Sequence, residues 1–326
     1  MKALITGGAG FIGSHLAEKL LQENHEVVVL DNLSTGSLDN IRHLCGRADF
    51  EFVRGDIRDA SLVELLADKC DEIYHLAAAV GVRLIAEDPV HTIQTNITGT
   101  EVVLEAANKF GRPIFLASSS EVYGKNENAP FAEGDDIVLG STSFARWSYA
   151  CGKAIDEFMG IAFHRQYDLR VVIGRFFNTI GPRQTGRYGM VVPRFVRSAL
   201  TGEPLFIYGT GRQSRCFCYV GDVVDATVAL MRSERTAGEV FNIGSTEEIT
   251  IESLADRIIG MTASSSEKRF ISYEQAYGRP MEDMMRRVPN LERIRAAVGW
   301  QPKTTLTQAL EIIINAEKKH AGRSSP

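Results

Sequence analysis

Cysteine is scarce and unpatterned in this chain of 326 residues: Cys45, Cys70, Cys151, Cys216 and Cys218 are an odd, scattered set. That excludes a disulfide framework and leads us to expect free thiols in a reducing cytoplasm. Cys216-Phe-Cys218 has no second pair at ligand spacing, so no metal site is expected. No apolar run is long enough to span a bilayer, and the first residues read as a strand with a glycine turn rather than a signal peptide, so no membrane association is expected. Positive charge is also short. Lys and Arg number 36 against 41 Asp and Glu, and the net charge of −5 gives no general attraction for nucleic acid, although a local basic cleft for a diphosphate stays compatible with it. There is no internal repeat and no low-complexity block. What remains, 44% hydrophobic and 24% charged, is a globular composition with enough chain for two subdomains.

The N-terminus carries the first positive signal. Lys2–Thr6 is a short apolar strand, Gly7-Gly-Ala-Gly10-Phe11-Ile12-Gly13 follows at once, and Ser14–Leu21 has helical apolar spacing. A strand, glycine turn and helix in that order suit a pyrophosphate: Gly7 for the tight turn, Gly10 for close backbone approach, Gly13 for helix packing, and the helix N-terminus facing the anion. The next strand, Glu26–Leu30, ends in Asp31, near the spacing at which a carboxylate binds the adenosine ribose hydroxyls. A carboxylate there repels a 2′-phosphate, which predicts NAD rather than NADP. Asn32, Ser34, Thr35 and Gly36, just after it, are expected to bind the cofactor with it, although Asp31 also suits a simple turn before Asn32-Leu-Ser34-Thr35-Gly36.

Further strands are expected at Phe50–Val53, Glu72–His75, Pro113–Ala117 and Leu169–Gly174, separated by helical segments at Leu62–Lys69, Pro89–Lys109 and Ser143–Gln166. This alternation predicts an α/β chain with a Rossmann-like, doubly wound parallel sheet. Beyond Arg175 proline and glycine punctuate shorter elements. We expect a dinucleotide-binding domain over 1–174 plus about 220–247, and a smaller interleaved C-terminal lobe over 175–219 and 248–326.

Tyr149 and Lys153 stand four apart, so on a helix they share a face. A neighbouring ammonium favours the phenolate and makes Tyr149 a candidate base; the same spacing also suits a solvated face. Ala117-Ser118-Ser119-Ser120-Glu121-Val-Tyr-Gly124 lies at the end of a strand, where hydroxyls could hold a substrate oxygen. Together with the glycine turn these residues make the chain resemble the extended short-chain dehydrogenase/reductase family, in its sugar-nucleotide epimerase, dehydratase and decarboxylase branch. The resemblance spans nearly the whole chain and includes Gly55-Asp56-Ile57, His75-Leu76-Ala77-Ala78, Asn96, Arg175-Phe-Phe-Asn178, Gly181-Pro-Arg183, Tyr208-Gly209, Arg215, Asp222 and Asn242-Ile-Gly244 in order.

That resemblance implies a set of roles. Asp56 and Ile57 would border adenine, Leu76, Ala77 and Ala78 would line the cofactor channel, and Asn96 and Ser118 would support it, although Asn96 could equally cap a helix. Ser119 would bind the sugar 4-oxygen while Tyr149 takes the 4-hydroxyl proton, with Lys153 on the nicotinamide ribose. Asn178, Val192, Phe206 and Tyr208 would surround the nucleotide-sugar, and Arg215 and Arg287 would clamp its diphosphate. Arg187, in a glycine-flanked loop, would suit a substrate carboxylate. Related dehydratases carry an Asp-Glu acid–base pair where this chain has Ser120-Glu121, so 4,6-dehydration is not expected, while Glu121 is kept as a catalytic candidate and Ser120 as a substrate contact. UDP-glucuronate decarboxylases carry Ser-Glu and an arginine resembling Arg287. The stretch from Asn178 to Gly189 is closer to bacterial epimerases, and the expectation drawn from it is a UDP-glucuronate or UDP-glucose 4-epimerase, with UDP-glucuronate decarboxylase as the alternative. A non-catalytic NAD-binding protein is a third reading. The two long helices resemble those that pair in family dimers, which implies a homodimer through a helical bundle.

Overall fold

A computed structural model describes residues 1–81, 88–186, 189–278 and 282–323. Seven strands form one parallel sheet: β1 (Lys2–Thr6), β2 (Glu26–Asp31), β3 (Phe50–Arg54), β4 (Glu72–His75), β5 (Ile114–Ser119), β6 (Val171–Phe176) and, from later in the chain, β11 (Val240–Ile243). Their spatial order is β11-β6-β5-β4-β1-β2-β3. β1 therefore sits between β2 and β4, and the chain's winding reverses across the β1/β4 pair. In such sheets the ligand crevice opens beyond the carboxyl ends of the strands at this reversal. The glycine turn leaves β1 and Leu76–Ala78 leave β4 at that point.

Both sheet faces are covered, which is why the central strands are near-continuous apolar runs rather than alternating ones. On one face α1 (Phe11–Gln22) packs with a later helix, Val220–Arg232; Leu16, Leu20, Val223 and Met231 share a core with Ile5, Val29 and Phe241. On the other face α2 (Ala60–Asp68), α3 (Pro89–Phe110) and α4 (Arg146–Tyr167) bury Val63, Leu66, Val103 and Leu104 against Leu4, Ile73, Leu116 and Ile173. α3 starts cleanly, with Asp88 accepting from the His91 amide and Pro89 in the first turn, and ends at Gly111 with φ 62°. α4 begins at Arg146, three residues later than its apolar spacing suggests. The reason is local: Ser141 and Ser143 bond to each other and to the backbone in a turn, the alternative such side chains offer to helix.

The remaining elements form a lobe over the same edge. β7 (Thr179–Ile180) pairs with β10 (Cys218–Tyr219), β8 (Leu205–Tyr208) with β13 (Lys268–Ile271), and β9 (Ser214–Cys216) with β12 (Glu248–Thr250). Phe195, Ile207, Leu254, Ile258 and Leu310 form its core. A stack of Tyr123, Phe131 and Phe177 joins lobe and sheet, with Tyr123 and Phe131 ring centroids 4.7 Å apart. All five cysteines are free thiols; Cys45 and Cys151 are exposed and the others buried. Among the described residues no helix is long and apolar enough to cross a membrane.

Candidate active site

Between the sheet edge and the lobe lies a cavity of about 890 Å³. One end is the glycine turn. Gly7 has φ +72°, and a Cβ there would come within 2.7 Å of the Ala77 amide nitrogen; a Cβ on Gly13 would come within 2.4 Å of the Gly7 carbonyl oxygen. Side chains are thus excluded where a pyrophosphate would lie. α1 has Gly10 at its N-cap with no side-chain cap, so its first amides are open to an anion. Asp31 faces this end and holds the turn, accepting from the Ala9 amide at 3.0 Å and the Leu33 amide at 2.7 Å. Burial pushes its carboxyl above the usual range against those two bonds. These features fit a dinucleotide with an unphosphorylated ribose.

Phe11, Ile12, Asn32, Ser34, Thr35, Ile57, Leu76, Ala77 and Ala78 also line the cavity. Three residues expected there stand behind its wall. Asp56 is ion-paired with Arg58 at 2.8 Å and receives a bond from Asn32; the Arg58 hydrogen bonds hold its carboxyl well below the usual range. Gly36 packs against Ala9 and Asp31. Asn96 lies inside α3 rather than at its cap, and its amide bonds both the N–H and the C=O of Ala79, fixing the loop after β4. His75 plays a related part: it joins Thr6 at 2.7 Å and Thr100 at 3.0 Å, and burial, with Lys153 nearby, lowers it to about 3, so it is a neutral strut.

The catalytic candidates meet at the other end. Ser119 ends β5 and Tyr149 and Lys153 project from one face of α4, all three on the cavity wall. The Ser119 hydroxyl lies close enough to the Tyr149 phenol to favour its ionised form. In this structure burial is the largest influence on that phenol and raises it, while Lys153 and the nearby Ser119 hydroxyl pull it down only in part. Lys153 alone therefore does not deliver the lowered phenol expected from spacing. Its ammonium donates to Asp156 at 3.0 Å, and the carboxylate there keeps the lysine charged despite burial. Ser118 turns inward to Glu157, which also takes a two-pronged bond from Arg175 at 2.9 and 2.7 Å. This buried pair ties β5 and β6 to α4 beneath the catalytic residues.

Glu121 and Arg287 depart from their expected roles. Burial alone would raise the Glu121 carboxyl, but Arg146 and Arg287 overcome it and bring it down to about 2. A carboxylate so held is no proton donor or ready base. Arg287 donates to Glu121 at 2.6 Å and to Ser120 at 3.4 Å, which places it beside the Ser119–Glu121 turn at the sugar-reacting end rather than simply at a diphosphate. Arg215 bonds Asp283 at 2.8 Å. Asn178, Val192 and Tyr208 line the lobe side of the cavity, with the Arg194 guanidinium 3.9 Å above the Tyr208 ring. Phe206 does not: it shares the strand face of Tyr208, opposite the buried Leu205 and Ile207, but is 40% exposed, and of that face only Tyr208, at the strand's end, reaches the cavity. Arg183 is held by Ser14 and Glu18 of α1. Arg187 lies outside the described residues.

Arg146, Asp283 and Tyr273 were not anticipated. Arg146 had a signal, since positions 146, 149 and 153 share one helix face. Asp283 and Tyr273 had none; only the folding of the lobe brings them over the site.

The model of the GDP-mannose 4,6 dehydratase family matches residues 4–313, nearly the entire chain. The chain belongs to that family. Within this dehydratase-type family it is 40% identical over 311 residues, 95% of each chain, to the UDP-N-acetyl-alpha-D-glucosaminuronate decarboxylase of Bacillus cytotoxicus. It is 38% identical over 321 residues to UDP-glucuronic acid decarboxylase 1 of Xenopus tropicalis, covering 98% of this chain and 72% of the relative. The crystal structure of Thermus thermophilus UDP-glucose 4-epimerase in complex with NAD superposes with a TM-score of 0.86 at 29% identity, covering 98% and 99% of the two chains. The chain is thus a sugar-nucleotide-modifying enzyme of the short-chain dehydrogenase/reductase type. Set against the sequence-based expectation of an epimerase, the decarboxylases are the better supported comparison.

Proposed function

We propose that the protein is an NAD-dependent decarboxylase of a UDP-hexuronate, UDP-glucuronate or its 2-acetamido analogue. The observation that carries this reading is the buried Arg287, held against Ser120 and Glu121 at the reacting end of the cavity. A fixed guanidinium there is matched to a carboxylate on the sugar and has no partner on a neutral hexose. The relatives named as uronate decarboxylases agree with it. Glu121, neutralised by two arginines, and Ser120 leave no free acid–base pair for dehydration.

NAD, when bound along the glycine turn, supplies the oxidation at C4 and its later reversal. The chain's own residues do the rest. Tyr149 takes the 4-hydroxyl proton, Ser119 holds the 4-oxygen, and Lys153 favours the phenolate. A 4-ketone lies β to the C6 carboxylate, so the C5–C6 bond can break with its electrons drawn toward the 4-oxygen. Ser119 and the Tyr149 hydroxyl stabilise the charge that develops there. Carbon dioxide leaves, C5 takes a proton, and the C4 hydroxyl is restored. Arg287 orients the carboxylate until it departs.

Incubation with UDP-glucuronate, UDP-N-acetylglucosaminuronate and UDP-glucose, followed by NMR of the products, tests this. A UDP-pentose, or its 2-acetamido form, is expected from a uronate. A C4 epimer with its carboxylate intact would return the epimerase reading.

We also propose a homodimer with a second copy of this chain. α3 and α4 pack side by side and together expose Val90, Ile93, Ile155 and Phe158, a paired-helix face suited to a four-helix contact. Phe158, on α4, is 63% exposed. Light scattering should give twice the chain mass, and Phe158→Glu should shift it to the monomer; a parent protein already monomeric at micromolar concentration would reject the dimer.

A further inference from the structure

One charged residue on the cavity wall has no part in the cofactor cradle or the proton transfer. Arg146 opens α4 three residues before Tyr149, with its side chain 9% exposed. One edge of its guanidinium grips the Glu121 carboxylate, with contacts of 3.1 to 3.2 Å. The other edge binds the Asp283 carboxylate and the Glu282 carbonyl, each at 2.9 Å. Glu121 also binds Arg287, and Asp283 also binds Arg215. The order is alternating: Arg287, Glu121, Arg146, Asp283, Arg215.

Three guanidiniums against two carboxylates leave one positive charge over in a buried array. Removing Arg146 would leave two of each. Glu121 would then be shared with no other cation and would neutralise Arg287 fully, and Asp283 would do the same to Arg215. The surplus therefore resides in Arg146 but is available at Arg287, whose Nε is buried without a hydrogen-bond partner among the described residues. A buried net cation of this kind stabilises an anion far more than a surface arginine does, because little solvent screens it.

We infer that Arg146 is a positioning residue for substrate choice: by sharing Glu121 and anchoring the 282–283 segment, it leaves Arg287 with charge to spend on the substrate's carboxylate. The inference rests on the decarboxylase reading. A neutral sugar needs no surplus charge, so its binding should not depend on Arg146. The 282–283 segment keeps other anchors, since Trp147 and Lys125 bond Glu282 at 2.8 and 2.6 Å.

The test is calorimetric binding of UDP-glucuronate and UDP-glucose to NAD-loaded protein carrying Tyr149→Phe, which stops turnover. Without further change, UDP-glucuronate should bind more tightly than UDP-glucose. Arg146→Gln should lower UDP-glucuronate affinity by at least about tenfold and change UDP-glucose affinity less than about threefold. Arg146→Lys keeps the charge but not the fork, and should keep most of the preference. An Arg146→Gln protein with undiminished preference overturns the inference alone. Should that variant not fold, a folded Arg146→Lys protein that has lost the preference overturns it as well. Equal binding of both sugars before any Arg146 change, with no carbon dioxide released by the Tyr149 enzyme, overturns the decarboxylase reading and this inference with it.

Discussion

Tyr149→Phe is expected to lower kcat on UDP-glucuronate by roughly 10²–10⁴-fold while leaving the circular dichroism spectrum and bound NAD unchanged. The phenol ring fills a buried site on α4, so Phe keeps the packing; what it loses is the hydroxyl beside Ser119 on the cavity wall. The pH dependence carries a second signature. Burial raises the phenol and Lys153 lowers it, and the base works only when deprotonated, so activity should rise with pH through the phenol's titration. Lys153→Met removes the lowering influence and should move that rise to higher pH. Near-parental turnover by Tyr149→Phe would remove the tyrosine from the mechanism.

Glu157→Gln should cost about 3–5 kcal/mol of unfolding free energy, measured by denaturant titration. Glu157 is 5% exposed and is the shared acceptor of the Arg175 fork and the Ser118 hydroxyl, so neutralising it strands a buried guanidinium. Arg175 also lies 4.8 Å from the centre of the Tyr123 ring, in the stack that joins the sheet to the lobe, and the loss should spread to both. Adding Arg175→Met to Glu157→Gln removes the stranded charge and should recover much of the stability. A Glu157→Gln protein within about 0.5 kcal/mol of the parent would show that the pair contributes little.

Local signals carried the sheet and its cofactor end. The strand, glycine turn and helix at the N-terminus depend on a run of contiguous residues, and β1 and β4 appear where their apolar runs place them. The site's second half depends on distance in sequence. Glu121 and Arg287 are 166 residues apart, and neither run of residues announces that one cancels the other. Phe206 shows the complementary error: it shares a strand face with Tyr208, yet only Tyr208, at the end of β8, reaches the cavity, and how far along a strand the cavity extends is not written in the strand's own residues. Tyr149 was chosen by spacing, yet its ionisation is governed first by burial, which spacing does not report. Arg146, on the same helix face, lacked meaning until Glu121 and Asp283 were seen on either side of it.

The central claim is that oxidation at C4 leads to loss of the C6 carboxylate. UDP-glucuronate labelled with carbon-13 at C6 tests it most directly: the NAD-loaded enzyme should release the label as carbon dioxide in step with consumption of the sugar nucleotide, leaving an unlabelled UDP-pentose. Label retained in a nucleotide-sugar that differs from the substrate only at C4 would contradict it.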